Sequence, residues 1–262
     1  MSDFATMLAA RKAEGAHLCV GLDPSPGDFD LMGVKSTQRW LESIVVAAAP
    51  YAAAWKPNLQ FFLGEGSEGI LMLEKLTKAV QHLYPTIPII LDAKWGDIGT
   101  TNIPDVRFAH RLGVQAVTIH NYMGAEAMRP LLEEFFCFVL CKTSNEGSGE
   151  FQDLPDGSNF LKPHHQTVAM RVDRAWSSYG PGVGLVTGAT HPEELSGIDE
   201  LVRDRVLLIP GVGAQGADVA TVMARVTNNT PLINVSRGIS GANNPAEAAA
   251  GFNNQIKEAI PR

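Results

Sequence analysis

Cysteine is scarce in this chain: Cys19, Cys137 and Cys141 are the only three in 262 residues. Each stands in an apolar run, so buried strand thiols are expected rather than a disulfide framework or a zinc site. No His or Cys spacing suggests a metal centre. No apolar run approaches the roughly 18 residues of a membrane span. The amino-terminal MSDFATMLAARKAEG also lacks the basic segment and apolar stretch of an export signal. A cytoplasmic chain is expected, in which the sequon Asn228-Asn229-Thr230 has no chemical meaning. Positive charge is short as well: 21 Lys and Arg stand against 28 Asp and Glu, a formal charge of −7. Broad nucleic-acid surfaces need the opposite balance. Any phosphate must be held locally, by a few residues.

What the chain does have is apolar content, 45% of residues, enough for a large buried core. Short β-rich runs near 17–23, 53–59, 88–95, 116–121, 137–143, 182–188, 205–211 and 231–236 alternate with stretches of helical period near 36–50, 67–83, 104–112, 124–135, 165–179, 191–202, 217–227 and 245–259. Ser36, His191-Pro192-Glu193-Glu194 and Asn244-Pro245-Ala246-Glu247 read as helix starts. Strand then helix, eight times, predicts an α/β protein built as one (β/α)8 TIM barrel, a single domain over residues 1–262. An open doubly wound sheet alternates too, and Gly211-Val-Gly-Ala-Gln-Gly216 fits the dinucleotide pattern G-x-G-x-x-G. That match follows the seventh strand rather than the first, and no acid stands some 20 residues on for a ribose hydroxyl. One stretch breaks the rhythm: Asn145 to Pro163, polar and rich in Gly and turn residues, reads as a lid or an unstructured segment.

The chemistry concentrates where strands end. Side chains alternate along a strand, so Ile90, Asp92 and Lys94 share one face. Ionised groups are costly in a dry core, which assigns Asp92 and Lys94 to the carboxyl-end rim, where barrel enzymes work. Asp23, ending VGLD, and Lys56, in AAWKPN, reach the same rim. A salt-bridge network closing one barrel end would use the same residues. GVGAQG with Gln215 follows strand seven, and Arg237-Gly238 in NVSRGIS follows strand eight; these are the loops where barrels often hold phosphate. Ser144 in CKTSN adds a hydroxyl on that rim, and His120 is a rim hydrogen-bonder more than a base. No G-x-S-x-G nucleophile elbow occurs. Flanking carboxylates keep a lysine protonated, which disfavours a Schiff base and suits proton donation to a carbanion.

Asp92-x-Lys94-x-x-Asp97-Ile98-x-x-Thr101 resembles the active-site motif of orotidine 5'-monophosphate decarboxylases. VGLD, WKPN, TSN, PGVGAQG and SRG agree in order over nearly the whole chain, and the lengthened segment after strand five resembles a bacterial subgroup. The resemblance implies conversion of orotidine 5'-monophosphate to uridine 5'-monophosphate, the last step of pyrimidine synthesis, with no metal and no organic cofactor. It implies that Lys94 donates the proton to C6 and Asp92 sits against the substrate carboxylate. Lys56 would bond acid and ribose, and Asp23 a ribose hydroxyl. Ser144 would face the pyrimidine, and Gln215, Arg237 and the Gly238 region would hold phosphate. Asp97, Ile98 and Thr101 complete the motif, with Asp97 and Thr101 contributed across a homodimer interface. The D-x-K-x-x-D core also occurs in metal-dependent sugar-phosphate decarboxylases and hexulose-phosphate synthases, and a non-catalytic phosphometabolite-binding barrel is the remaining alternative.

Overall fold

Runs such as VLLI and TPLINV are apolar on both faces, which suits strands covered on one side by helices and on the other by a barrel interior. The computed structural model describes residues 3–157, 162–213 and 216–260. Its strands are β1 (Leu18–Gly21), β2 (Ala52–Lys56), β3 (Ile90–Trp95), β4 (Ala116–Ile119), β5 (Phe136–Lys142), β6 (Val183–Thr187), β7 (Val206–Ile209) and β8 (Thr230–Val235). All are parallel, in the order β2-β1-β8-β7-β6-β5-β4-β3. The two ends of that order meet: the Trp55 N–H donates to the Pro88 carbonyl at 2.9 Å and the Asp92 N–H to the Pro57 carbonyl at 2.9 Å, closing the barrel.

Around it lie α1 (Phe4–Ala13), α2 (Pro26–Ala48), α3 (Leu59–Leu63), α4 (Gly66–Leu83), α5 (Asn102–Leu112), α6 (Gly124–Leu132), α7 (Gly149–Gln152), α8 (His164–Arg174), α9 (Pro192–Leu201), α10 (Val219–Ala224), α11 (Arg237–Ser240) and α12 (Pro245–Ala259). Their apolar stripes, for example Leu41, Ile44, Val45 and Ala48 of α2 and Leu73, Leu76 and Val80 of α4, pack with the outward strand residues Leu91, Val117 and Val139 in one large buried cluster. Each such side chain contributes about 1.5–3 kcal/mol on burial.

A second buried cluster fills the barrel. Cys19, Ala54, Ile90, Ala116, Phe136, Phe138, Val186, Leu208 and Leu232 point inward, and Phe4 and Leu8 of α1 join them. Phe4 lies 4.8 Å from Phe136 and 5.4 Å from Phe138, ring centre to ring centre, so α1 packs into this interior cluster. Continuing each inward column by steps of two residues changes its chemistry: Ile90 gives way to Asp92 and Lys94, Ala116 to Thr118 and His120, Leu232 to Asn234 and Ser236. The apolar floor and the polar mouth are thus one alternation, read along the strand.

All eight expected strand–helix pairs are present; the short helices α3 and α11 are additional, and three larger differences stand beside them. Helix α1 precedes the first strand and has no counterpart in the expected series. Helix α2 starts at Pro26 rather than near Ser36: Ser25 and Asp28 form a reciprocal capping box, and the chain breaks its helical path only at Gly33 (φ 70°, ψ 161°), which a residue without Cβ adopts freely. The stretch after β5 is neither bare loop nor open coil over its described part. It carries a turn of 3₁₀ helix at Glu146–Ser148, then α7, and a bridge between Pro155 and Pro163.

Candidate active site

At the carboxyl ends of the strands opens a cavity of about 980 Å³, whose lining includes Asp23, Lys56, Asp92, Lys94, Ser144 and Arg237. Lys56, Lys94 and Arg237 balance Asp23, Asp28 and Asp92 on its wall, in a chain with a formal charge of −7. Cations are therefore concentrated here relative to the rest of the surface, as local binding of an anion requires.

Asp92 is the centre. Its Oδ2 accepts from Lys56 Nζ at 2.8 Å, and its Oδ1 from Lys94 Nζ at 2.6 Å and from the Thr118 hydroxyl at 2.9 Å. Burial works against the charge on Asp92, but the two ammonium groups outweigh it and hold the carboxyl well below the usual carboxylate range. Burial likewise opposes charge on Lys56, and Asp23 and Asp92 more than offset it, so this lysine stays protonated. Lys94 differs from Lys56 in access: its side chain is 41% exposed while that of Lys56 is 5%. It faces the cavity as the reachable member of the triad.

Lys94 is also placed at a cost. Its φ is 52°, in the left-handed region that a side chain normally avoids by about 1–2 kcal/mol. The pairing of β3 with β4 slips between Leu91 and Trp95 at the same point. What holds the irregular turn is Thr118, whose Oγ1 accepts the Lys94 N–H at 2.9 Å while its hydrogen goes to Asp92. One hydroxyl thus fixes both the backbone of the lysine and the carboxylate it touches. Beside it, burial and the Lys94 charge push the His120 imidazole below its ordinary range, so it is neutral at pH 7.

Asp23 follows β1, on the side of Lys56 away from Asp92 in the strand order, accepting the Asn58 N–H at 3.0 Å and the Ser236 hydroxyl at 2.6 Å. Gly21 makes this possible, because a Cβ there would stand 1.8 Å from Ser236 Oγ. Arg237 opens α11 with its side chain exposed and lining the cavity, and among the described residues no carboxylate or carbonyl engages its guanidinium. Gly238 does not line the cavity. It backs the site: a Cβ there would meet Phe252 at 3.1 Å, the same ring that lies 3.2 Å from the corresponding point on Gly213, so Phe252 underpins the loops after both β7 and β8. Gln215 lies outside the described residues. Ser144 lines the cavity, and Gly188 beneath it leaves no room for a Cβ, which would fall 2.7 Å from Ser144 Cα.

Asp97, Ile98 and Thr101 are not among the residues of this cavity. All three are exposed, and Asp97 Oδ1 accepts the Ile98 N–H at 2.6 Å. Their loop is held by the fully buried Asn102, which donates to the carbonyls of Asp97 at 2.8 Å and Ala127 at 2.7 Å. Ile98, Ile103, Tyr122 and Met123 form exposed apolar side chains in the segments after β3 and β4. Among the described residues no three His, Cys, Asp or Glu side chains converge as a metal ion would require.

Sequence reasoning missed Thr118, Asn102, Asn58, Ser236 and Phe252. Thr118 had a signal, standing two residues before His120 on an inward column. The others show only once neighbouring elements are in register.

A closed parallel barrel whose mouth holds a carboxylate between two lysines, one of them reachable, with an exposed arginine on the same cavity, is a barrel enzyme that handles an anionic substrate. The chain belongs to the orotidine 5'-phosphate decarboxylase / HUMPS family, whose family model matches residues 16–252. It is 39% identical to the orotidine 5'-phosphate decarboxylase of Roseiflexus castenholzii over 99% of this chain and 97% of that one. Among solved structures, Leishmania donovani OMP decarboxylase superposes with a TM-score of 0.87 at 32% identity, covering 98% of this chain and 99% of the other. Leishmania donovani UMP synthase gives 0.89 at 33% identity over 99% of this chain, which spans 56% of that longer one.

Proposed function

We propose that this chain decarboxylates orotidine 5'-monophosphate to uridine 5'-monophosphate and carbon dioxide, without metal or organic cofactor, as a single-domain barrel that pairs into a homodimer in the cytoplasm. The observation that carries the reading is Asp92, held ionised by Lys56 and Lys94 at the edge of the cavity. With the phosphate on Arg237 and the loops after β7 and β8, where Gln215 is the other expected donor, the pyrimidine reaches toward Asp92. The substrate carboxylate on C6 then meets a fixed negative charge. Two unit charges about 4 Å apart repel by roughly 4 kcal/mol at an effective dielectric near 20.

As the C6–carboxylate bond breaks, its electron pair stays on C6 and carbon dioxide leaves neutral. The Lys94 ammonium faces the growing carbanion and gives it a proton, forming the C6–H bond and a neutral amine that regains its proton from water. Lys94 interacts more strongly with the carbanion than with the neutral ring, and only such a difference lowers a barrier. Lys56 keeps Asp92 charged and turns toward the ribose, Asp23 accepts from a ribose hydroxyl, and Ser144 faces the heterocycle. Asp97 and Thr101 serve the partner's cavity; their exposure, beside Ile98, Ile103, Tyr122 and Met123, supports that pairing.

The test is the loss of orotidine monophosphate absorbance with chelator present. Full activity after exhaustive chelation supports the reading, and activity restored only by a divalent ion points to a sugar-phosphate enzyme type instead. Lys94→Ala should stop carbon dioxide release and leave uridine monophosphate affinity within a few-fold; retained turnover overturns the proton-donor role. Mixing Lys94→Ala with Asp97→Ala chains should regenerate one working site per heterodimer, and no recovery would return Asp97 to its own chain.

A further inference from the structure

Lys142, the last residue of β5, is fully buried, and nothing in the proposed chemistry uses it. Its Nζ reaches Asp153 Oδ1 at 2.7 Å and Oδ2 at 2.8 Å, a two-oxygen grip on a residue eleven positions further on. The His165 Nδ1, also buried, donates to the Gln152 carbonyl at 2.9 Å and lies 3.1 Å from Asp153 Oδ1. Next to this grip, the Gln152 amide closes a ring with Thr143: its Oε1 accepts the Thr143 N–H at 2.9 Å and its Nε2 donates to the Thr143 hydroxyl at 2.8 Å, which in turn donates to Asn145 Oδ1 at 2.6 Å. Thr143, Ser144, Asn145 and Gln152 all line the cavity, whereas Lys142 and Asp153 do not.

A buried ion pair is a poor way to add stability, since apolar side chains of similar volume do as well or better. What it does well is specify one arrangement of the groups it joins. Here it joins the carboxyl end of β5 to a loop whose other half carries the cavity wall.

We propose that Lys142, Asp153 and His165 form a latch that positions the Thr143–Asn145 wall and Gln152 against the heterocycle, making Lys142 and Asp153 positioning residues for the base-binding half of the site. The assignment rests on the nucleotide reading above for its ligand, and on geometry alone for the loop. Asp153 is the residue to change, because it stands 42% exposed on the loop while Lys142 is part of the barrel.

Two measurements on the full-length protein separate the claims. Without ligand, Asp153→Asn should speed amide hydrogen exchange across 143–153 by about tenfold or more, a locally opened segment, with β1–β8 unchanged; unchanged exchange in the loop overturns the latch. With ligands, Asp153→Asn should weaken uridine monophosphate binding about tenfold, near 1.4 kcal/mol, and raise KM for orotidine monophosphate alike. Binding of ribose 5-phosphate, which has no base, should stay within about twofold and kcat within about threefold, as for lost uniform binding. Equal weakening of both ligands, or a fall in kcat alone, overturns the positioning role. Adding Lys142→Met to Asp153→Asn should cost less than twofold more in affinity if the two act as one contact; multiplicative losses overturn the pair. Failure of the wild type to release carbon dioxide would sink the functional reading and leave the exchange result standing.

Discussion

Two lysines are buried at the same mouth of the barrel, Lys56 ending β2 and Lys142 ending β5, and each meets an aspartate, at 2.8 and 2.7 Å. They are built inside out from one another. Around Lys56 the carboxylate is the buried centre, and a second, reachable ammonium on Lys94 shares it, so these three side chains together carry one positive charge more than negative. Around Lys142 the ammonium is the buried centre, the carboxylate is the reachable member, and His165 helps hold it, so no charge is left over and the product is a fixed loop. On the two proposals above, the same chemical pair serves reaction in one place and placement in the other, according to which partner faces solvent.

The largest expected difference is in turnover. Lys94→Ala should lower kcat by about 10²–10⁴-fold, the range for a lost proton-transfer group, while Asp153→Asn should leave kcat within about threefold. Single-turnover measurements on both variants check this, and similar losses in the two would erase the distinction.

The next is in stability. Asp92→Ala strands the ammonium of Lys56, whose side chain is only 5% exposed at the cavity wall, and should cost about 3–5 kcal/mol in denaturant unfolding. Asp153→Ala should cost less, about 1–3 kcal/mol, because its partner loop can open and hydrate the Lys142 ammonium. A larger loss at Asp153 would make the latch the structural keystone.

The smallest effects separate the carboxylates by pH. Asp92 and Asp153 are both held below the ordinary carboxylate range, Asp92 by Lys56 and Lys94 against its burial, Asp153 chiefly by the hydrogen bond from Lys142. Each therefore lends stability above about pH 4, the unfolded value, that is lost as pH falls through its folded value. Asp92, buried between two cations, is held further down, so amide exchange in 143–153 should rise on acidification before β3 loosens. Asp105 has the opposite sign. Burial, with the Asp97 charge, raises it to about 6, so ionising it costs stability as pH rises from about 4 through 6. Asp105→Asn should raise the melting temperature by about 2–4 °C at pH 7 and by nothing at pH 4.

Much of this was legible along the chain. The eight strands, the shared face of Asp92 and Lys94, and the arrival of Lys56 at the cavity follow from a two-residue alternation that any strand obeys, while Asp23, Ser144 and Arg237 reach it because they follow strand ends on the same rim. Contacts between strands were not legible. Thr118 reaches Asp92 only because β4 pairs with β3 in a register that slips at Lys94. Lys142 stands at a strand end as Lys94 does, and its burial depends on where Asp153 folds back, eleven residues later. Helix α1 hid because its ten residues carry only two that bury, Phe4 and Leu8, too few for a visible stripe.

Those two side chains have a consequence for traffic. With Phe4 packed against Phe136 and Phe138, the interior is solid from its amino end up to the layer of Asp92 and Thr118. Among the described residues the doorway lies at the carboxyl ends of the strands. On the proposed reading, gas released at C6 leaves by the path the nucleotide came in, past the loops after β7 and β8 or the segment that Lys142 anchors, so whatever narrows that doorway slows the escape of both products together.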